Sequence, residues 1–400
     1  MKICVVGLGN IGFNLFTFLC EKFPGDVSGV DVDRKRVEEL SHQGYKVTDN
    51  YQDLVGIDVW LMAPSTGNQA ENLFAALEAM IIRPGALISI ESTLPPGTMS
   101  RVRDFLEKKG FQLGSNIFLI HVPHRVMFGV DKTVCDTPRV LGAFTSPCLE
   151  KGHQFYSPLV PELIEVSDIR VAELSKVVEN VKRYVDVAFA QEIYSFCVDQ
   201  ALDFDDLRRA VNSKSNVELL GTDWGIGGEC LPKDLGFLLN VCSSSLLEGA
   251  EKADQNYRDK IVSQAGSGKE ILVRGLGYKA GVKDLKYSRA IDLIKALEAA
   301  GNTVRVEDPL FSPDELLNAG LNVYQNNDPE TRKRQSVPNK IILERQKALN
   351  PIEVAPIQSD PDDIEKTASR RLKKSNFQDK VIDLIQKNLT KAIISGKRSN

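Results

Sequence analysis

A glycine-rich turn near the start of the chain restricts the fold more than any other feature of the sequence. It reads Gly7-Leu-Gly-Asn-Ile-Gly12 and joins an apolar run at residues 2–6 to a helical pattern at residues 11–22. Glycines at these spacings allow a tight turn, a close approach of the backbone to a ligand, and close packing of the helix on the strand. The N-terminus of the helix favours an anion. The sequence therefore predicts a strand–turn–helix unit that binds the pyrophosphate of a dinucleotide.

An acidic residue stands where the ribose of such a dinucleotide is expected. Asp31 ends the second apolar run, residues 27–31, and lies 19 residues after Gly12. A carboxylate there accepts hydrogen bonds from the ribose hydroxyls and repels a 2′-phosphate, so the expected cofactor is NAD. The alternative is a glycine-rich turn in a fold that binds no cofactor. The predicted cofactor-binding residues are Gly7, Gly9, Asn10, Ile11, Gly12, Asp31, Arg36, Ser65, Thr93 and Lys233.

Apolar runs and helical patterns alternate through the first part of the chain. Strands are expected at residues 2–6, 27–31, 59–63, 86–91 and 117–122. This alternation predicts a parallel, doubly wound sheet whose strand carboxyl ends line one ligand crevice. Residues 171–200 then form a long helical pattern without Gly or Pro. A second α/β unit follows, with strands expected at residues 271–274 and 303–307.

One of the seven cysteines has unusual neighbours. Cys230 lies in the motif Gly225-Ile-Gly-Gly-Glu-Cys-Leu-Pro-Lys-Asp234, where glycines let a ligand approach the sulfur and a lysine and a carboxylate follow. A thiol with such neighbours can act as a nucleophile. A small buried apolar residue is the alternative interpretation of a cysteine, and we adopt it for the other six. Residues 235–242 are predicted to form a short helix.

Further polar residues can reach the same crevice. Lys176 and Asn180 are four residues apart, hence on one face of the long helix. The lysine can place positive charge beside a developing alkoxide, which the asparagine can orient. From the spacing alone, a solvated lysine on an exposed face is the better-supported interpretation. Residues 91–97 follow a strand and carry Thr93, whose hydroxyl can contact nicotinamide or position a water; the alternative is a proline-stiffened turn.

In their order and spacing, these motifs resemble those of the nucleotide-sugar 6-dehydrogenase family, which includes UDP-glucose, GDP-mannose and UDP-N-acetylmannosamine dehydrogenases. The resemblance covers about residues 1–325. It implies NAD-dependent oxidation of the C6 hydroxymethyl of a UDP-linked hexose to the uronate, through a thiohemiacetal and a thioester on the cysteine. A GDP-linked sugar is the less favoured substrate. The implied catalytic residues are Cys230, Lys176, Asn180, Asp234, Thr93 and His124. The implied substrate-binding residues are Gly227, Gly228, Lys279 and Lys286.

The chain departs from the family pattern in three places. His124 stands where the family has a glutamate that assists hydrolysis, so the histidine is expected to act as a base near neutral pH, or the last step to be slow. Lys286 replaces an arginine, which loses bidentate phosphate geometry. No closing strands are recognisable after Asn326. The alternatives are a non-catalytic or hydrolysis-impaired homologue that binds nucleotide sugars, and a β-hydroxyacid dehydrogenase, which would need no cysteine.

The predicted fold class is α/β, with an N-terminal Rossmann domain, a central all-helical domain with a long spanning helix, and a C-terminal Rossmann-like α/β domain that is atypical or incomplete. The predicted bounds are residues 1–155 for NAD binding, 156–258 for dimerisation and catalysis, 259–326 for the nucleotide sugar, and 327–400 for a basic polar tail that ends in an amphipathic helix. The resemblance implies a homodimer through the central helix. For the tail helix, packing on protein is favoured over membrane contact.

Composition narrows the remaining function classes. A formal net charge of −4 does not predict a nucleic-acid binder. The seven cysteines form no C-x-x-C pair, which argues against zinc and a disulfide framework, so no metal is expected. The chain opens directly into a predicted strand without a signal-peptide layout, and no apolar run reaches membrane-spanning length. The expected location is the cytoplasm.

Overall fold

The computed structural model describes residues 1–67, 69–125, 135–277, 281–324 and 340–344. They belong to two compact units, Met1–Arg258 and a second unit that begins at Asp259. Lys279 and the predicted tail helix lie outside the described residues.

An eight-stranded sheet forms the centre of the first unit. Its strands are β1 (Ile3–Val6), β2 (Val27–Val30), β3 (Val47–Thr48), β4 (Val59–Met62), β5 (Leu87–Ile90), β6 (Phe118–His121), β7 (Arg139–Ala143) and β8 (Leu163–Glu165). Their order is β3-β2-β1-β4-β5-β6-β7-β8, and all neighbours pair in parallel except β6 and β7. This confirms the predicted doubly wound sheet. The strand order reverses between β1 and β4, which is where such sheets bind their ligands.

Both faces of this sheet are covered. Strands β1, β2, β4 and β5 are buried along their whole length. On one face Trp60 belongs to a core cluster with Leu73 and Val102. On the other face Val5 belongs to a cluster with Phe16. The strands therefore read as continuous apolar runs, because no position along them faces water.

The helices from the N-terminus to residue 265 are α1 (Asn10–Lys22), α2 (Arg34–His42), α3 (Glu71–Ala79), α4 (Thr98–Lys108), α5 (Ser146–Tyr156), α6 (Ile169–Asp199), α7 (Phe204–Asn212), α8 (Cys230–Leu239) and α9 (Ser245–Ala265). Short polar side chains satisfy the free N–H groups at several N-termini. Asp33 accepts from Lys35 N at 3.0 Å before α2, and Asp168 accepts from Arg170 N at 2.8 Å before α6.

Helix α8 corrects the prediction of a helix at residues 235–242. It begins at Cys230 and ends at Leu239. Pro232 lies in its first turn, where backbone N–H groups have no partner within the helix, so a proline is tolerated there. The sequence analysis placed the start of the helix after the proline and therefore missed that Cys230 opens it.

Helix α6 is 31 residues long and links the sheet to the helical part of the unit. Its first turns approach β7 closely, since a Cβ at Gly142 would lie 2.6 Å from Ala172 Cβ. Further along, Val177 and Val181 share a core cluster with Leu235 of α8. The same helix therefore contacts both the Rossmann sheet and the segment that carries Cys230.

The second unit contains a parallel three-stranded sheet of order β10-β9-β11. Its elements are β9 (Glu270–Arg274), β10 (Thr303–Glu307), β11 (Lys340–Glu344), α10 (Arg289–Ala299) and α11 (Pro313–Asn318). Strand β11 corrects the expectation that no strand follows Asn326. The strand is only five residues long and lies in a polar stretch, so the sequence pattern did not mark it as a strand. It forms by pairing with β9, which is a non-local contact. Among the described helices, none is both long and apolar enough to cross a membrane.

Candidate active site

The glycine turn between β1 and α1 leaves room for a pyrophosphate. Gly7 has φ of +85°, and a Cβ there would lie 2.8 Å from backbone atoms that follow β4. A Cβ at Gly12 would lie 1.7 Å from Gly7 O. The Cβ position of Gly9 has no described atom within 4 Å, so its backbone faces open space. Asn10 and Ile11 begin α1, where free N–H groups favour an anion. These residues fit the phosphates of NAD.

A cavity of about 350 Å³ opens beside this turn. Asp31 lines it, and its two oxygens accept hydrogen bonds from Leu8 N at 2.6 Å and Asp33 N at 2.9 Å. Each carboxylate oxygen can accept a second bond, so ribose hydroxyls can still donate to Asp31. Ser65 also lines the cavity, and its hydroxyl accepts from Asn72 Nδ2 at 3.0 Å. The cavity therefore fits the adenosine half of the cofactor.

Arg36 supports the turn rather than lining the cavity. Its Nε donates to Leu8 O at 3.3 Å, and its guanidinium lies 4.5 Å from the centre of the Phe13 ring. Tyr51 and Ala79 do line the cavity. The sequence analysis did not name them, because neither belongs to a motif that a sequence pattern marks.

The α6 and α8 helices bring together five of the predicted catalytic and cofactor residues. The carboxylate of Asp234 is buried, and its Oδ2 accepts from Asn180 Nδ2 at 2.6 Å. Its Oδ1 lies 3.0 Å from Lys233 Nζ. Lys176, one turn before Asn180, lies close enough to Cys230 to act on the charge of its thiol. Asn180 and Asp234, which are 54 positions apart in sequence, thus belong to one polar cluster.

Cys230 is exposed, and it is the only exposed one among the seven cysteines, all of which lie in described residues. Desolvation by neighbouring atoms raises the pKa of its thiol, and the Asp234 carboxylate raises it further. The charges of Lys233 and Lys176 oppose the rise. The thiol is therefore mainly protonated at neutral pH, and a nucleophilic sulfur needs a base to take its proton.

Lys176 is held by a short ionic network. Its Nζ lies 3.6 Å from Glu179 Oε2, and Arg125 Nε lies 2.6 Å from Glu179 Oε1. Arg125, the residue after His124, is thereby joined to helix α6. Two cationic side chains, those of Lys176 and Arg125, therefore lie on either side of one carboxylate.

A buried glutamate network lies at the carboxyl ends of β5 and β6. Glu91 is fully buried, and its Oε2 accepts from Arg139 Nη2 at 2.6 Å. Its Oε1 accepts from Ser89 Oγ at 2.7 Å and from the Tyr156 hydroxyl. His124 Nε2 lies 3.4 Å from Glu91 Oε2. The sequence analysis gave residue 91 no role of its own within the segment 91–97. It missed Arg139, because a buried arginine inside a strand leaves no sequence signal.

The environment of His124 bears on the expectation that it acts as a base near neutral pH, which stays a prediction. Burial lowers the pKa of its imidazole well below the ordinary value, and the charges of Arg139 and Lys176 lower it further. His124 is only 5% exposed. It therefore remains a neutral imidazole at neutral pH and is a weak base, able to accept or donate a hydrogen bond.

Thr93 lies in a loop that is tied to the same long helix. Its backbone oxygen accepts from Thr66 Oγ1 at 2.9 Å. At the far end of the loop, Gly97 N and Met99 N donate to the two oxygens of Glu173 at 2.7 and 2.8 Å. Glu173 lies three residues before Lys176. Both the threonine loop and the lysine therefore take their position from α6.

The predicted substrate-binding residues fall in both units. Gly227 and Gly228 precede Cys230, and Gly228 has φ of +80°, which favours glycine. Lys286 belongs to the second unit, where its Nζ lies 4.9 Å from the centre of the Tyr287 ring. Lys279 lies outside the described residues.

Models of known sequence families match three parts of the chain. The NAD binding domain of 6-phosphogluconate dehydrogenase matches residues 2–114. The UDP-glucose/GDP-mannose dehydrogenase family matches twice, with its central domain at residues 170–254 and its UDP binding domain at residues 272–385. The chain belongs to this family of nucleotide-sugar dehydrogenases. It is an oxidoreductase that uses NAD to oxidise a nucleotide sugar. The predicted family, enzyme class and cofactor are confirmed, and the β-hydroxyacid dehydrogenase alternative is set aside.

Curated relatives and solved structures agree with this assignment. The UDP-N-acetyl-D-mannosamine dehydrogenase of Methanocaldococcus jannaschii is 28% identical over 406 residues, which cover 87% of this chain and 93% of the relative. The structure of the UDP-N-acetyl-mannosamine dehydrogenase from Staphylococcus aureus has a TM-score of 0.70 at 26% identity and covers 86% of this chain and 88% of its own. The Pyrococcus horikoshii enzyme structure, at 24% identity, shares the fold with a TM-score of 0.76 over 89% of this chain and 97% of its own.

Proposed function

We propose that this nucleotide-sugar dehydrogenase oxidises the C6 hydroxymethyl of a UDP-linked hexose to a carboxylate through a covalent adduct on Cys230. One observation carries the proposal. Cys230, an exposed residue, opens a helix whose Asp234 is hydrogen-bonded to Asn180 of α6, and Lys176 lies one turn before Asn180. A nucleophile, a carboxylate and two oxyanion-stabilising groups are thus present in one cluster of the unit that binds NAD.

The proposed chemistry has two oxidations and one hydrolysis. NAD, when bound, accepts the hydride that leaves C6 in each oxidation, and the first oxidation also releases the proton of the C6 hydroxyl. After the first, the sulfur of Cys230 bonds to the aldehyde carbon, and the thiol proton passes to the new hydroxyl, which gives a thiohemiacetal. After the second, the hydroxyl proton is released and a thioester remains. Water then adds to the thioester, the carbon–sulfur bond breaks, and a carboxylate, a proton and the free thiol result.

The residues around Cys230 have distinct proposed roles. Asp234 relays the thiol proton, since its carboxylate lies beside the sulfur and raises the pKa of the thiol. Lys176 and Asn180 donate to the oxygen on C6 when it carries negative charge. Thr93 holds the hydrolytic water, and His124 offers it a neutral hydrogen-bonding partner. Because His124 is a weak base, we expect hydrolysis of the thioester to limit the rate.

The substrate is proposed from the family. A UDP binding domain matches residues 272–385, and the similar enzymes quoted above act on UDP-N-acetylmannosamine. We therefore propose a UDP-linked hexose, with a UDP-linked N-acetylhexosamine as the first to test and GDP-linked sugars as the less favoured group. Gly227, Gly228, Lys279 and Lys286 are the proposed contacts of the nucleotide sugar.

The test is the stoichiometry of NADH release. Incubation with UDP-N-acetylmannosamine, UDP-glucose or GDP-mannose and excess NAD should yield two NADH per sugar consumed with one of the UDP-sugars. If hydrolysis is impaired, a burst of about one thioester per enzyme should precede a slow phase, and mass spectrometry should find the acyl group on the Cys230 peptide. Absence of NADH from every sugar in the panel would contradict the proposal.

We also propose that the enzyme is a homodimer through α6. Val171, Val178, Phe189 and Phe196 are 48 to 59% exposed. They lie seven, eleven and seven residues apart and therefore form one stripe along the helix. An apolar stripe of this length is expected to be covered by a partner.

Light scattering after gel filtration tests the dimer. The unmodified protein should have twice the chain mass, and Phe189→Glu should shift it toward the monomer, because a charge would be buried in the contact. Val217→Glu is the matched control, since Val217 is also exposed and lies outside the stripe. A monomer before any substitution, or a dimer that Phe189→Glu leaves intact, would refute the assignment.

A further inference from the structure

A buried carboxylate on α9 has no part in the chemistry described so far. Asp254 is 1% exposed. Its Oδ1 accepts from Ile226 N at 2.7 Å and from Gln191 Nε2 at 3.0 Å. Its Oδ2 lies 3.4 Å from Arg258 Nε. A carboxylate kept in the interior and bonded to two other segments acts as a fixed link between them.

The first of these segments is the cysteine loop, residues 225–230. Ile226 lies four residues before Cys230, and the residues between them include Gly227 and Gly228. Glycines give the backbone freedom and no side chain with which to pack. The path of the loop to Cys230 therefore needs support from outside the loop, and the bond from Ile226 N to Asp254 supplies it.

The second segment is helix α6. Gln191 lies on α6, the same helix that presents Lys176 and Asn180 to the polar cluster. On the other side of the sulfur, Asp234 is bonded to Asn180. The chain is thus hydrogen-bonded to α6 on both sides of Cys230. On the N-terminal side Asp254 links Ile226 to Gln191, and on the C-terminal side Asp234 is bonded to Asn180.

We propose that Asp254 is a positioning residue that holds the cysteine loop against α6 and so sets where the Cys230 sulfur stands relative to Lys176 and Asn180. The inference rests on the proposed function, in that Cys230 is taken as the nucleophile. Asp254 itself acts through the loop and does not contact the sulfur or the substrate. Misplacing a reacting group by about 1 Å can cost as much as about 100-fold in rate.

The experiment follows the reactivity of the Cys230 thiol in the full chain. Iodoacetamide labelling is measured against pH by mass spectrometry of the Cys230 peptide, with the half-buried Cys20 and Cys242 as internal references. Asp254→Ala removes the hydrogen bonds that hold the cysteine loop against α6, so the Cys230 thiol should become more exposed to solvent. Labelling of Cys230 at pH 7 should therefore rise about 3- to 10-fold and its profile move to lower pH, since the protein atoms and Asp234 no longer raise the thiol pKa as far.

Turnover should change in the opposite direction. In Asp254→Ala we expect kcat to fall at least about tenfold while the KM for NAD changes less than about threefold, because the NAD cavity is untouched. Asp254→Asn keeps an oxygen for Ile226 N and Gln191 Nε2, so it should stay within about threefold of the unmodified enzyme in both assays. Arg258→Gln removes the ion pair with Asp254 and the bond to Gln255, but it leaves the bonds from Ile226 and Gln191 to Asp254 in place, so it is the matched control.

Wild-type labelling of Cys230 in a folded Asp254→Ala would overturn the proposal, as would equal effects of Asp254→Ala and Arg258→Gln. If Asp254→Ala does not fold, Gln191→Met tests the same link, since it removes the donor at similar volume and should also raise Cys230 labelling. Unchanged labelling in Gln191→Met counts against the proposal. Labelling of Cys230 reports the position of the loop and does not depend on turnover. If Cys230 is not the nucleophile, a different result shows it, namely turnover that survives Cys230→Ala.

Discussion

Cys230→Ala should lower the turnover of the nucleotide sugar by at least about 10³-fold, because it removes the sulfur that is proposed to hold the aldehyde as a covalent adduct for the second oxidation. Cys230 is exposed at the start of α8, so removing its sulfur leaves the core intact. The glycine turn and the cavity at Asp31 are also untouched. The variant should therefore bind NAD as before, and the loss should appear in kcat.

The measurement is NADH release under steady-state and single-turnover conditions, together with NAD binding by calorimetry. Cys242→Ala is the matched control, because Cys242 follows the same helix and is only half-buried. It should keep turnover within about threefold, as is usual for a substitution away from special features. A Cys230→Ala enzyme that still converts the sugar to its carboxylate would rule out the covalent route.

Arg139→Met should lower the free energy of unfolding of the first unit by about 3–5 kcal/mol, the usual cost of removing one partner of a buried ion pair. Arg139 and Glu91 are both fully buried, and their contact is 2.6 Å long. In the variant the carboxylate keeps its bonds from Ser89 and Tyr156 but loses the positive charge of Arg139. The neighbouring His124 is neutral and does not replace that charge.

Urea unfolding followed by tryptophan fluorescence measures this change, since Trp60 lies in the core of the same unit. Arg34→Met is the control, because Arg34 is 83% exposed and its ion pair with Asp49 at 2.9 Å should contribute no more than about 1 kcal/mol. The double variant Glu91→Leu/Arg139→Met should recover much of the loss, since neither charge of this pair then remains buried without its partner. A single variant as stable as the control would show that the pair is not needed for folding.

Local signals predicted much of the first unit. The alternation of apolar runs and helices gave the parallel sheet, and the glycine spacing at Gly7, Gly9 and Gly12 gave the turn. These signals lie within a few residues of one another, and the steric demands of a tight turn admit no residue larger than glycine at Gly7 or Gly12. The pairing of Lys176 and Asn180 on one helix face was equally local.

Features that depend on contacts between distant parts of the sequence could not be predicted from the sequence. The pKa of His124 depends on its burial and on Arg139 and Lys176, which are 15 and 52 positions away in sequence. The strand at Lys340–Glu344 pairs with β9, about seventy residues earlier, and a short apolar run within a polar stretch does not reveal such pairing. The role inferred for Asp254 likewise depends on contacts with Ile226 and Gln191.

The sequence by itself determined the class of sheet, the cofactor turn and the cysteine motif, because each depends on periodicity or spacing within one short segment. Only the tertiary structure decided that α8 begins at Cys230, that Asp234 meets Asn180, and that a buried arginine neutralises Glu91. These outcomes depend on which segments pack against each other and exclude water from the contact. Burial and charge pairing arise from that packing and are not encoded in any one segment.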